Sequence, residues 1–223
     1  MIAPHYHFLV KKMDGMLSHL EELLRSKNIF VRNRKQMKTR SLGILLYHYG
    51  LSLRKCRTIV SSFEDISHES IRKWYHRVDT IFTLGKTYRE TVAVDETKVK
   101  INGKLFILWA AIDIRTYEVL GVWVTKGRAS LEAYSFLKYV LSKCTNQPKI
   151  LVDGGPWYIP ALQRLKVEWE HVTFGSRNPI EQWFFLLKHR IKLFYRNWPF
   201  NATVDSTQQW IDCFVSMYHF TRS

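Results

Sequence analysis

The chain of 223 residues lacks a long apolar run. Its longest unbroken apolar stretch covers eight residues, 105–112, whereas a membrane-spanning helix needs about 20. Near the start, the basic pair Lys11 and Lys12 follows the apolar stretch instead of preceding it, which is the reverse of a secretory signal. We therefore expect no membrane span or membrane partner, and a cytoplasmic protein.

Cysteines and acidic residues are also scarce. The three cysteines are far apart and odd in number, which is neither a disulfide framework nor a zinc ribbon, and a reducing compartment fits. Asp and Glu total 19 against 34 Lys and Arg, so the net charge is +15. A surplus of this size indicates a polyanionic partner such as DNA, RNA or an anionic membrane surface. The alternative is that the high pI serves only solubility.

The basic charge is densest near the N-terminus. Residues 1–40 combine an amphipathic helix over 14–27 with a segment, 32–40, that holds five basic residues in nine. This segment is either an arm lying along DNA phosphates or a solvated linker.

Residues 41–88 have the pattern of a helix-turn-helix domain. A short helix ends at Gly50, Ser52 is the predicted N-cap of a second helix, and Ser67 is that of a third. The third helix leaves its basic residues outward, which is typical of a recognition helix in a major groove; the alternative is a small helical bundle with an ordinary charged surface. The predicted DNA contacts of this domain are Arg54, Lys55, His68, Arg72, Lys73 and Arg77.

Residues 89–223 alternate between strand and helix patterns in the order β-β-β-α-β-α-β-α. An Asn102-Gly103 turn predicts a hairpin within an antiparallel meander, and later strands alternate with helices. This order favours an α/β domain with one mixed sheet and helices on both faces. The three meander strands cover 98–102, 105–114 and 118–125, after a short strand over 91–95, and the later strands cover 149–153 and 167–172. The alternating helices cover 129–143, 156–165 and 178–196, and one further helix covers 203–219.

Three carboxylates of this domain stand in apolar surroundings. Asp95 and Asp153 each end an apolar strand, and Glu181 lies in the first turn of a helix beside Ile180 and Trp183. Ligands favour the carboxyl ends of sheet strands, and oxygen ligands select Mg²⁺ or Mn²⁺ over zinc. Two such ions can drive an in-line phosphoryl transfer. The alternative is that the three are turn and helix-end acids.

Two other acids are expected to lie outside this set. Glu96 should point away from Asp95 if the strand continues, since successive side chains alternate between faces. Asp113 lies within a strand and is expected to bind a neighbouring arginine.

Several segments resemble the DDE-type transposases of insertion sequences, nearest to the insertion sequence six family and its archaeal-like members. They are DETKVKINGK, ILVDGGPWY and TFGSRNPIEQWFFLLKHRIKLFY, with GLSLRKC and SHESIRKWY ahead of them, so that the likeness covers about residues 40–223. The family's spacing of aromatic, arginine, glutamate and lysine is matched by Phe174, Arg177, Glu181 and Lys188.

The resemblance implies an RNase H-like domain that cleaves DNA and transfers strands at the ends of a mobile element, with no covalent protein–DNA intermediate. Asp95 would bridge two Mg²⁺ or Mn²⁺ ions, and Asp153 and Glu181 would each hold one. Arg177, Lys188 and Lys192 would contact DNA. The implied partners are double-stranded DNA and further copies of the chain, as a homodimer or higher oligomer associated with the nucleoid.

Two alternatives remain open from the sequence. One is an inactive DNA-binding remnant or regulator derived from a transposase. The other is a nuclease of the same fold that acts on RNA–DNA hybrids or junctions, which the basic helix-turn-helix pattern disfavours because it indicates recognition of duplex DNA.

Overall fold

The computed structural model describes residues 4–30, 34–172, 178–194, 198 and 201–222, with side chains from residue 14 onward. The chain divides into two compact units, Met1–Thr83 with Asp212–Ser223, and Leu84–Ile211. Within the described ranges, no helix has both the length and the apolar character that a membrane crossing requires. The predicted boundaries at residues 40 and 88 remain a prediction.

The helices and strands follow in chain order. They are α1 (Pro4–Ser26), α2 (Met37–His48), α3 (Leu53–Val60), α4 (His68–Tyr75), β1 (Thr91–Ile101), β2 (Lys104–Asp113), β3 (Val119–Thr125), α5 (Ser130–Leu141), β4 (Lys149–Val152), α6 (Tyr158–Leu165), β5 (Trp169–His171), α7 (Asn178–Lys192) and α8 (Val204–Arg222).

In the unit that contains the N-terminus, α2, α3 and α4 pack against one another. Both predicted N-caps are present: the Ser52 hydroxyl accepts from the amide of Lys55 at 3.3 Å, and the Ser67 hydroxyl accepts from that of Ser70 at 3.1 Å. α2 and α4 lie close at Gly43, where a Cβ would be in van der Waals contact with the Ile71 side chain, at 3.4 Å. The inner side chains Ile71, Trp74, Tyr75 and Val78 are buried.

Part of the basic segment 32–40 belongs to this helical unit. Lys35 donates to the backbone carbonyl of Asp65 at 2.6 Å and pairs with Glu64 at 3.6 Å. Arg40 is 2% exposed, lies 5.0 Å from the centre of the Phe30 ring and donates to the Lys35 carbonyl. Both cations therefore contact the helical unit itself, and the role of the segment as an arm along DNA remains a prediction.

The second unit contains one five-stranded sheet in the order β3-β2-β1-β4-β5. β1 is antiparallel to β2 and parallel to β4, and β4 is parallel to β5. The sheet is therefore mixed, as predicted. The hairpin turn also forms at Asn102 and Gly103, both with positive φ (47° and 77°), the conformation for which Asn-Gly is favoured.

The two predicted segments 91–95 and 98–102 are one strand. β1 pairs with β2 without a break from Val92↔Asp113 to Ile101↔Lys104. The expectation that Asp95 ends a strand is therefore wrong for this ladder. The polar residues Glu96 to Lys98 do not break it, because a tight hairpin aligns two strands along their whole length and pairs the backbone groups of β1 that face β2.

Helices cover both faces of the sheet. On one face, Val92 and Val94 of β1 and Trp109 of β2 share a buried core with Phe136 of α5 and Leu162 of α6. The alternate residues, which point to the other face, include the buried Ala93, Leu108 and Ala110. α7 contacts β1 and β2 and contributes none of its side chains to the first core, so it covers this second face.

Asp113 forms the ion pair expected from the sequence. Its carboxylate accepts from the Arg89 guanidinium at 3.1 Å, with both side chains nearly fully buried. Glu118 binds the same guanidinium. Burial opposes the charge of Arg89, but the hydrogen bonds that its guanidinium donates to Glu118 and Asp113 outweigh this effect and raise the pKa of Arg89. Asp113 is thus a structural acid.

Candidate active site

Asp95 and Asp153 meet where two parallel strands separate. The β1–β4 register pairs Thr91 with Lys149 and ends at Ala93↔Leu151. Continued by two residues, the same register would place Asp95 opposite Asp153. Backbone pairing stops before them, and their partly buried carboxylates lie at the opening between the strands, within 4.8 Å of each other.

Glu96 lies in the same group, against expectation. Among the residues that the structure describes, Asp95, Glu96 and Asp153 form a cluster in which one carboxylate oxygen from each lies within 4.8 Å of the others. The strand does continue, so Glu96 points to the opposite face, but the gap between β1 and β4 brings its carboxylate beside the two aspartates. We call these three side chains the carboxylate cluster.

Two neighbours hold the Glu96 carboxylate, which is 4% exposed. The Tyr158 hydroxyl donates to Glu96 Oε2 at 2.6 Å, and the Arg128 guanidinium donates to Glu96 Oε1 at 3.1 Å. Burial, together with the negative charges of Glu96, Asp95 and Asp153, raises the pKa of Tyr158 well above its ordinary value. The hydroxyl therefore stays protonated and acts as the donor.

The turn after β4 orients Asp153. The Gly155 amide donates to the backbone carbonyl of Asp153 at 2.8 Å and approaches its Oδ1 at 3.2 Å. Gly155 has no room for a side chain, since a Cβ there would lie 2.6 Å from the Trp157 ring. Next to it, a Cβ on Gly154 would lie 3.1 Å from Nε2 of His171. The two glycines thus let Trp157 and His171 pack close to Asp153.

Glu181 lies apart from the carboxylate cluster. It is exposed in the first turn of α7, where it lines a shallow surface depression with Gln182, Phe185 and Leu186. In the described part of the chain it is not among the carboxylates that come within 4.8 Å of one another. Asp95, however, is on the sheet face that α7 covers, because it alternates with the inward-facing Val94.

The donor set fits a hard divalent cation. All three groups of the carboxylate cluster offer oxygen, the ligand atom of Mg²⁺ and Mn²⁺. Three carboxylates this close repel one another unless a cation or hydrogen bonds compensate them. Arg128 and Tyr158 donate to Glu96, and the two aspartates accept from backbone amides, Asp95 from that of Glu96 at 2.8 Å and Asp153 from that of Gly155 at 3.2 Å. Divalent metal use is the chemistry that this arrangement supports.

The predicted DNA contacts lie at the surface wherever the structure describes them. On α3 these are Arg54 and Lys55, and on or just after α4 they are His68, Arg72, Lys73 and Arg77. Arg72 is held by Glu69, with Nη2 at 2.5 Å from Oε1. On α7, Lys188 and Lys192 are exposed. Phe174 and Arg177 lie outside the described residues.

A family model described as a DDE domain, DDE_Tnp_IS240, matches residues 89–221, which is more than half of the chain. The chain belongs to the DDE transposase family, insertion sequence six type. The predicted family and enzyme class are thus confirmed, and the transposase is a polynucleotidyl transferase.

Similar proteins span most of this transposase. An uncharacterised protein of Methanocaldococcus jannaschii is 42% identical over 205 residues, which are 92% of this chain and 96% of that one. The transposase for insertion sequence element IS257 in transposon Tn4003 of Staphylococcus aureus is 26% identical over 201 residues, 84% of this chain and 87% of that one.

Among solved structures, the HTLV-2 integrase catalytic core domain in complex with magnesium is 17% identical, covers 58% of this chain and 85% of that one, and has a TM-score of 0.44. The fold class of the transposase rests on its own strand order and on the family model.

Sequence reasoning missed the roles of Glu96, Tyr158 and Arg128 in this transposase. The position of Tyr158, five residues after Asp153, is the signal that could have identified it. The helix that begins there must return over the sheet and so brings the Tyr158 ring toward it. Nothing local marks Arg128 as the partner of Glu96, because Arg128 follows Glu96 by 32 positions, with β2 and β3 between them.

Proposed function

We propose that this transposase binds the terminal inverted repeats of an insertion sequence and catalyses metal-dependent cleavage and strand transfer. The observation that carries the proposal is the juxtaposition of Asp95 and Asp153 at the opening between β1 and β4. Phosphodiester chemistry by two divalent ions needs oxygen ligands that converge on one point.

Asp95, Asp153 and Glu181 are the proposed metal ligands, and together they would hold two Mg²⁺ or Mn²⁺ ions. With ions about 4 Å apart and metal–oxygen bonds of about 2.1 Å, carboxylates that hold different ions can stand roughly 8 Å apart. The third ligand of a two-ion site can therefore lie outside a group whose carboxylate oxygens are all within 4.8 Å of one another. Glu181 is a candidate because α7 covers the face on which Asp95 lies.

When bound, the ions would supply activation of the attacking hydroxyl group and stabilisation of the leaving oxygen. The chain's own residues do the rest. The carboxylates would hold the ions in place and so orient the scissile phosphate. The exposed cations Lys188 and Lys192 of α7 contact the DNA backbone nearby. We assign the same role to Arg177.

The unit that carries α4 is the proposed DNA-recognition module. The basic residues on the exposed sides of α3 and α4 would position it on duplex DNA through phosphates and base edges. Joining an element to a target requires that both ends be held at once, so we expect two or more chains on the DNA. Association with the nucleoid follows from such a substrate.

The test uses duplex oligonucleotides that carry the element's end and a target duplex, with Mg²⁺ or Mn²⁺. The Asp153→Ala variant should give no cleaved or joined product, a loss of about a thousandfold or more, and should bind the end duplex as the wild type does. The matched control is Asp205→Ala, which removes an exposed acid from α8 and should leave product formation unchanged.

Other results would favour other functions. Cleavage without joining by the wild type would indicate a nuclease, and tight binding without either reaction would indicate a regulator. If Asp153→Ala formed joined product at the wild-type rate, the assignment of Asp153 would be wrong.

A further inference from the structure

The carboxylate cluster lies just beyond the point where the backbone pairing of β1 and β4 ends. Parallel backbone bonds between β1 and β4 end at Ala93↔Leu151, two residues before each aspartate. Beyond that point no ladder bond sets the separation of Asp95 and Asp153 in the described sheet. A site that must hold a cation within a few tenths of an ångström needs another connection there.

The hydrogen bond from Tyr158 to Glu96 supplies that connection. Glu96 follows Asp95 directly on β1, and Tyr158 starts α6, immediately after the turn that carries Asp153. Their bond of 2.6 Å therefore ties the two aspartate-bearing segments across the opening. Both groups are buried, with Tyr158 at 0% exposure and the Glu96 side chain at 4%, so water competes little for either atom.

Tyr158 is itself fixed by the sheet. Its ring stands edge-on to Trp109 of β2, with centroids 5.8 Å apart and planes at 89°. Trp109 lies opposite Glu96 in the β1–β2 register and donates through its indole to the hydroxyl of Thr125 at 2.8 Å. A displaced Tyr158 would thus disturb a packed aromatic pair, which gives its hydroxyl a defined position.

Arg128 closes the arrangement from the other side. Thr125 donates to the carbonyl of Gly127 at 2.7 Å and so holds the turn that precedes Arg128. The Arg128 guanidinium reaches Glu96 Oε1 and lies 4.2 Å from the ring centre of Trp157. Both oxygens of Glu96 are occupied by donors on different elements, each of which is held in turn.

We propose that Tyr158 is a positioning residue that acts through Glu96 to set the separation of Asp95 and Asp153 for metal binding. We call the Tyr158–Glu96–Arg128 arrangement the carboxylate bridge. The inference rests on the proposed function, because it assumes that the two aspartates bind a divalent ion. Residues that orient metal ligands without touching the metal change affinity by about 10- to 100-fold when they are replaced.

The experiment measures Mn²⁺ binding to the full-length protein without DNA, by isothermal titration calorimetry. Tyr158→Phe keeps the ring against Trp109 and removes only the hydroxyl, and it should raise the Kd for Mn²⁺ about tenfold. The matched control is Tyr139→Phe, whose ring packs on Trp123 against the same core; its Kd should equal that of the wild type.

A double-mutant cycle tests whether Tyr158 acts through Glu96. In a Glu96→Gln background, adding Tyr158→Phe should change the Kd less than about twofold, since coupled residues are not additive. Thermal unfolding in EDTA reports structure alone. An unchanged Kd for Tyr158→Phe with a lowered unfolding temperature would overturn the inference, because the bond would then serve stability only.

Asp153→Asn separates this inference from the proposed function. If the wild type binds Mn²⁺ and Asp153→Asn does not, the proposed metal site is supported. The Tyr158→Phe result alone then tests the carboxylate bridge. If Asp153→Asn binds Mn²⁺ as tightly as the wild type does, both the proposed site and the bridge are overturned.

Discussion

Gly155 shows how a single residue shapes the site. It is buried, and a Cβ at this position would stand 2.6 Å from the Trp157 ring. That ring carries Arg128 on its face, and Arg128 holds Glu96. A change at Gly155 therefore reaches the carboxylate cluster through the backbone turn that orients Asp153 and through the stacked side chains.

We predict that Gly155→Ala impairs activity more than stability. Displacing Trp157 should lower the free energy of unfolding by about 1–3 kcal/mol, the usual cost of overpacking. The shift of Asp153 should lower the strand-cleavage rate about a hundredfold, as misplacement by about 1 Å does. Single-turnover cleavage and urea unfolding measure the two effects.

Gly127→Ala is the control for this prediction, because a Cβ there has no atom within 4 Å. It should leave both quantities near the wild-type values. A cleavage rate for Gly155→Ala within about threefold of the wild type would show that the turn tolerates a side chain without moving Asp153.

At this scale the sequence predicted the chemistry of some residues and not of others. Asp113 was recognisable as a structural acid, because a carboxylate inside an apolar strand needs a cation. The sequence did not indicate that the Glu96 carboxylate lies beside that of Asp95, because strand alternation directs adjacent side chains to opposite faces. Only the opening between β1 and β4 brings the two carboxylates back together.

At the scale of elements, the exposed basic residues of α4 differ in how well they serve as probes of DNA binding. Arg72 is engaged by Glu69 on the same helix, with a shortest distance of 2.5 Å. An alanine at Arg72 would both remove a cation and release the charge of Glu69. Lys73, one position on and also exposed, is the simpler probe of the predicted recognition helix.

We predict that Lys73→Ala weakens binding to the element's end. The slope of log K against log salt concentration is negative. If Lys73 contacts a phosphate, this slope should become less negative by about 0.9. Fluorescence anisotropy between about 50 and 200 mM salt measures both affinity and slope.

Lys138→Ala, which removes an exposed lysine from α5, is the matched loss of one positive charge. It should leave the salt slope as in the wild type. Equal slopes for Lys73→Ala and Lys138→Ala would contradict the placement of α4 on DNA.

The extent of β1 shows where a pattern read locally falls short. Residues 96–98 are polar and suggest a break, but the hairpin at Asn102 and Gly103 aligns β1 with β2 over its whole length. Pairing across a hairpin satisfies backbone groups whatever the side chains are, so a polar stretch can remain in a strand.

At the scale of the whole molecule, one compact unit is built from both ends of the chain. The segment Asp212–Ser223, which includes the last part of α8, groups with Met1–Thr83. Within that unit, Phe82 donates its amide to the Ser216 hydroxyl at 3.1 Å and stacks on His219 at 4.6 Å. Phe214 lies 5.4 Å from His48, ring to ring.

We predict that the fragment 1–83 does not fold cooperatively alone. Without residues 212–223, it would expose apolar surface that α8 buries, and a unit of this size has little stability to spare. The same fragment joined to 212–223 by a flexible Gly/Ser linker of about 20 residues should unfold cooperatively. Circular dichroism during heating compares the two.

Cooperative unfolding of 1–83 at the temperature of the joined form would contradict this prediction. It would show that the N-terminal helices suffice as a folding unit and that the end of α8 only rests on them.

The sequence by itself determined the α/β class, the basic character and the hairpin turn, because these depend on composition, periodicity and short-range spacing. The family followed from the resemblance of whole segments to known transposases, and Asp95 and Asp153 were predicted as site residues from the apolar strands that lead to them. The tertiary structure alone decided that β1 and β4 separate beside those aspartates, that Glu96 joins them, and that Tyr158 and Arg128 hold Glu96. It also assigned the end of α8 to the N-terminal unit. Contacts of this kind join residues 32 to 134 positions apart, and their partners are selected by packing geometry, which no local pattern records.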